Sequence, residues 1–180
     1  DQVDKTMDLL LTKYLIASIS YEGVSRVEKY PFPESALREA VINSIIHKDY
    51  SSGNPIQISV YNNKILIWNA GQLPESWTIE RLLSKHPSLP YNPDIASVFF
   101  RAGLIEAWGS GTIKMIDDCI KEKVNPPKFA FDANGVLVEF EAETIQKTIQ
   151  KTTMKTTMKT TIKTTIKTEE EIIKIILENT

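Results

Sequence analysis

The stretch R-E-A-V-I-N-S-I-I-H-K-D-Y, residues 38–50, decides how the chain is read. Taken back to residue 34 and on to 48, it has the spacing of a helix. At about 100° per residue, Leu37, Val41 and Ile45 share one face, which predicts packing on a sheet. Glu39, Asn43, His47 and Tyr50 fall within an arc of roughly 80° on another side. Arg38, Lys48 and Asp49 point elsewhere and mark the wet face. With Ala36 and Ala40 beside it, the Glu/Asn/His stripe sits at the border of the core. Two readings stay open: incidental polar positions on an ordinary helix, or a face turned to a ligand. A carboxylate and a carboxamide at i and i+4 both offer hard oxygen to a hydrated Mg²⁺. The carboxylate can also act as a general base on a water. His47 suits a satisfied histidine at the core border as well as it suits a ligand contact.

Working outward, Val3, Met7, Leu10, Leu11, Tyr14 and Leu15 predict a helix over 2–16. Loose alternation around Gly23 predicts two short strands over 17–30. The pair I-Q-I-S-V-Y (56–61) and K-I-L-I-W-N (64–69) is the clearest hairpin, with Asn62-Asn63 as a turn in which Asn tolerates positive φ. Short helices are expected at 78–84 and at 93–103, the latter stopped by Gly103. The stretch H-P-S-L-P-Y-N-P, 86–93, is a proline-rich loop. A helix follows over 111–123, and a last strand pair over 128–132 and 136–141 around Asn134-Gly135.

Two turns have chemical content. Asn69-Ala70-Gly71 puts a short polar side chain and a flexible backbone at a strand end, although Gly71 could serve only to shape the turn. Gly109-Ser110-Gly111 opens a helix, where glycine-rich backbone can cradle phosphate, or it is simply a loop.

Composition sets the bounds. The 180 residues are 42% hydrophobic and 24% charged, ordinary for a globular protein. No apolar run approaches the roughly 18 residues of a membrane span, and residues 1–8 do not read as a signal peptide. One cysteine, Cys119, excludes an internal disulfide, and two histidines argue against a zinc cluster. These features suit a cytoplasmic protein, which is the expectation. The net charge of −2 is uneven, because six lysines and no acid fall within residues 144–168. That segment carries the tetrapeptides IQKT, TMKT and TIKT, each twice, over 145–168, and reads as a low-complexity linker. A basic arm for nucleic acid and pairing as strands are the other readings. E-E-E-I-I-K-I-I-L-E-N, 169–179, has the acidic start and apolar spacing of a helix. The expected division is a body over 1–143, a linker over 144–168, and at 169–180 the start of a further domain.

In chain order, E39-A-V-I-N43, N69-A-G71 and G109-S110-G111 resemble the N box and the two glycine boxes of the GHKL ATPases. That superfamily includes gyrase B, MutL and the sensor histidine kinases. The segments REAVINSIIHKDY, IWNAGQLPE, HPSLPYNPDIA and IEAWGSGTIKM are most similar to one divergent branch, the RecG-related C-terminal domain of transcriptional regulators, over roughly residues 1–141. The resemblance implies an α/β two-layer sandwich of the Bergerat type, with helices on one face of a mixed sheet. It implies ATP and Mg²⁺ as cofactors. Glu39 would be the general base and Asn43 the Mg²⁺ ligand. Asn69 would stand where the enzymes carry an Asp on the adenine amino group. Gly71 and His47 would complete the pocket, and Gly109, Ser110 and Gly111 would wrap the triphosphate.

The sequence departs from the pattern at four points. Asn69 lacks the charge of the Asp, Leu73 replaces the second glycine of the first box, the second box is short, and Tyr91 stands where the branch carries Arg. A ligand-sensing domain of a transcription regulator is therefore the leading expectation. An active Mg²⁺-dependent ATPase and a structural or dimerising domain are the alternatives. No G-x-x-x-x-G-K-[ST] loop occurs, so a helicase motor is not expected. The resemblance also implies DNA contact through flanking Alba-like or Schlafen-like and winged-helix domains, and it allows a homodimer.

Overall fold

The computed structural model describes residues 2–142 apart from 88, 106–108 and 133, with the side chains of residues 22 and 132 not described. The tetrapeptide repeat and the helix expected at 169–179 lie outside the described residues.

Helix α1, Gln2–Leu9, runs into a π-helical turn, Leu10–Tyr14, closed by the Leu15 amide donating to the Leu10 carbonyl at 2.8 Å. Strands β1, Ser18–Glu22, and β2, Ser25–Lys29, form a separate antiparallel hairpin. Gly23, at φ +62°, makes its two-residue turn possible. Helix α2, Glu34–Ile46, follows. It ends two residues short of the expected boundary, and Tyr50 begins a separate 3₁₀ turn, so Tyr50 is not on the helical stripe. Lys48 also departs from expectation. It is 8% exposed, with Nζ 3.2 Å from the Asp49 carbonyl and over the Tyr50 ring at 4.4 Å. Once the helix stops at Ile46, the 100° progression no longer sets where Lys48 points.

Strands β3, Gln57–Val60, and β4, Lys64–Ala70, form the expected hairpin. Neither Asn62 nor Asn63 has positive φ; among the described non-glycine residues only Lys123 does. The Tyr61 amide instead donates to the Lys64 carbonyl at 2.8 Å and closes a wider turn. Short α3, Ile79–Leu82, starts at Thr78, whose hydroxyl accepts from the Arg81 amide. Helices α4, Pro93–Arg101, and α5, Gly111–Lys121, precede β5, Lys128–Asp132, and β6, Gly135–Glu141.

The larger sheet has the order β3-β4-β6-β5 and is antiparallel throughout, which corrects the expectation of a mixed sheet. A parallel neighbour for β4 would require β5 beside it. The inner place goes instead to β6, whose Val138 and Phe140 are buried, while Phe131 of β5 is 39% exposed. In that place β6 pairs with β4 over Lys64–Ala70 and with β5 over Lys128–Asp132.

In-register neighbours define one buried face: Ile58 with Ile67, Ile65 with Phe140, and Ile67 with Val138. α2 packs on it through Leu37, Val41 and Ile42, all buried. Phe32 meets Phe140 edge-on at 5.9 Å. α5 adds Met115 and Cys119, and α1 adds Val3 and Met7. The result is a two-layer α/β sandwich. Among the described residues, no helix is long and apolar enough to cross a membrane.

Candidate functional site

A cavity of about 380 Å³ opens beside α2, within the size range of small-molecule sites. Its floor comes from α2 and the two central strands, through Asn43, Ser44, His47, Asn69, Val136 and Val138. α5 contributes Gly111, Thr112 and Met115 on one side. The outer wall is the long connection after β4, with Gln72, Leu73, Pro74, Glu75, Trp77, His86 and Tyr91.

Five of the eight residues expected from sequence line this cavity: Asn43, His47, Asn69, Gly109 and Gly111. Glu39 stands next to it. Asn43 donates from Nδ2 to Glu39 Oε1 at 3.2 Å, one helical turn away. A Cβ at Gly111 would collide with Glu39 Oε1 and come within 3.0 Å of Asn43 Nδ2. The first turn of α5 therefore lies directly on the Glu39 carboxylate, and the partial positive charge of a helix N-terminus favours that contact. Gly71 lies behind the floor. A Cβ there would come within 2.6 Å of the His47 carbonyl, so glycine is required for the β4 exit to reach the end of α2. Ser110 is exposed and precedes α5 without a side-chain capping bond.

The floor is polar but internally engaged. Asn69, 4% exposed, donates from Nδ2 to the Ala70 carbonyl at 3.2 Å. The Ser44 hydroxyl donates to the Val41 carbonyl at 2.7 Å. Burial, with the nearby charge of His86 adding to it, lowers the pKa of His47 to about 4, so its imidazole is neutral at pH 7. In the wall, His86 stacks edge-on against Trp77 at 4.5 Å, and its Nδ1 faces the Pro87 carbonyl at 3.0 Å. Among the described residues no group of three His, Cys, Asp or Glu gathers to hold a metal ion.

Sequence reasoning missed most of this wall. Trp77 and His86 belong to no periodic pattern, and the segment was marked only by the proline-rich loop at 86–93, the short helix expected at 78–84 and the resemblance of IWNAGQLPE and HPSLPYNPDIA to the branch. It also missed Asn92, whose Nδ2 donates to the carbonyls of Ile46 at 2.8 Å and Lys48 at 2.7 Å. That side chain satisfies the open C-terminal end of α2 and fixes where the wall rejoins the body.

Residues 53–140 match the family model described as "Putative ATP-dependent DNA helicase recG C-terminal". The match begins after α2. No curated protein matches the chain in sequence. Among solved structures, the chain is similar to the DIP2311 protein of Corynebacterium diphtheriae, with 22% identity and a TM-score of 0.67. That likeness, of fold alone, covers 78% of this chain and 29% of the other protein.

Proposed function

We propose that this RecG-related, ATPase-like domain is the ligand-sensing module of a regulator, and that its cavity takes a purine nucleotide without turning it over rapidly. The observation that carries the reading is the convergence of Asn43, Asn69 and Gly111, from three separate elements, on one cavity of ligand size. An apolar pocket of this size with a few convergent polar groups is the default place for a small-molecule ligand.

Mg²⁺ fits this donor set only in part. Asn43 would hold it through its carboxamide oxygen, and water and ligand oxygens would supply the rest of the shell. The ion would neutralise phosphate charge. Glu39 is the residue to act as general base, but its carboxylate already faces Asn43 and α5, which favours a sensor over a hydrolase. DNA contact belongs to other parts of a regulator, since residues 1–143 carry a net negative charge by sequence.

The test is thermal melting of the chain with Mg-ATP, ADP and a non-hydrolysable analogue. Binding to the folded state raises the midpoint by mass action. A rise that disappears in Asn43→Ala supports the reading. No rise with any nucleotide rejects it, and turnover lost in Glu39→Ala would establish an enzyme instead.

A further inference from the structure

Resting on the cavity as the ligand site, we propose that it recognises a flat heterocycle through N–H groups, as in an amino-bearing nucleobase or nucleoside, and that phosphate is not what it reads. Four polar groups around the cavity support this, because each offers an acceptor. Asn43 and Asn69 turn their amide nitrogens to protein partners, Glu39 and the Ala70 carbonyl. Those nitrogens lie against Gly111 and Gly71, which leaves the carbonyl oxygen as the end each can present to a ligand. The Ser44 hydrogen is engaged by the Val41 carbonyl, leaving only lone pairs. The fourth group is His86. Its Nδ1 faces the Pro87 carbonyl, and in the Nδ1–H tautomer that suits this contact Nε2 is an acceptor. That Nε2 is buried with no hydrogen-bond partner among the described residues. A buried acceptor left unpaired is costly, and a ligand N–H would satisfy it.

The charges point the same way. No Lys or Arg is among the described residues lining the cavity, while Glu75 stands in its wall. The first turn of α5, where an anion could sit, is covered by the Glu39 carboxylate. Among the described residues a triphosphate would meet no cation in the lining, and it would face Glu75 in the wall and Glu39 beside it. Trp77, Tyr91 and Phe129 supply apolar and aromatic surface for a planar ring.

The experiment is a calorimetric and thermal-shift titration of the whole chain with adenine, adenosine, ATP with and without Mg²⁺, inorganic triphosphate, and 2-aminopyridine. Adenine and adenosine are expected to bind within about threefold of Mg-ATP, and triphosphate to leave the midpoint unchanged. Mg-ATP binding tenfold or more tighter than adenosine overturns the inference and leaves the nucleotide reading intact. A response to 2-aminopyridine but to no purine rejects the nucleotide reading and leaves the acceptor array standing. No response to any of them overturns both. Two variants sharpen the result. Asn69→Leu should cost tenfold or more in adenosine affinity. Glu75→Lys, at an exposed position that spares folding, should raise the ratio of ATP to adenosine affinity severalfold. An unchanged ratio would mean that the wall charge has no part in selection.

Discussion

At the scale of single residues, two glycines of the same composition have opposite tolerances. At Gly71 an added methyl group meets backbone, the His47 carbonyl, which cannot move without shifting the end of α2. Gly71→Ala should therefore destabilise by about 1–3 kcal/mol, read as a lower urea midpoint. At Gly111 the methyl meets the mobile end of Glu39, which can swing away. Gly111→Ala should fold nearly as well as the parent, and pairing it with Glu39→Ala should be less costly than the two single effects summed. His47 gives a prediction about pH. Its folded-state pKa of about 4 lies below the ordinary 6.5, so the unfolded chain binds the proton first. Stability is full above pH 6.5 and falls as pH drops toward 4, by at most about 3 kcal/mol at 1.36 kcal/mol per unit. His47→Gln should flatten that part of the stability–pH curve. Much at this scale was legible in sequence. Glu39, Asn43 and Asn69 stand out by spacing and by strand-end position. The contact of His86 Nδ1 with the Pro87 carbonyl was not legible, because no pattern records it.

At the scale of elements, helix and strand existence followed from periodicity, and the errors fell at ends. α2 stops at Ile46, where Asn92, from a distant loop, holds the carbonyl of its last residue and that of Lys48 just beyond it. A tertiary partner of that kind leaves no trace in local spacing. Asn92→Ala should remove the side-chain bonds to Ile46 and Lys48, leaving Ile46 only the Asn92 amide at 3.1 Å, and cost about 1–3 kcal/mol in urea unfolding, with the cooperativity unchanged. α5 carries Cys119 on its buried face, fully covered, and burial pushes the thiol up to about 11. A thiol reagent such as dithionitrobenzoate should therefore label it only after denaturant is added. Rapid labelling of the native protein would show that α5 opens from the core.

At the scale of the whole molecule, the antiparallel sheet could not be read from sequence. Both hairpins were visible, but nothing in the pattern of either strand says which strand of the second lies beside β4. The cavity wall obeys a different rule from the layers beneath it. Where the wall begins, the Ala70 carbonyl accepts from the Asp49 amide at 2.7 Å; where it ends, Asn92 holds the carbonyls of Ile46 and Lys48. Residues 72–91 thus leave from and return to one short stretch of chain. In polymer terms they are a closed loop whose ends stay pinned whatever its contour length. Doubling that length should cost only about 0.6 kcal/mol in closure entropy. An insertion at Ser84–Lys85, both exposed, should accordingly move the urea midpoint little while changing which ligands shift it. The wall of the cavity can be rewritten in length and composition while the sandwich that carries it stays the same.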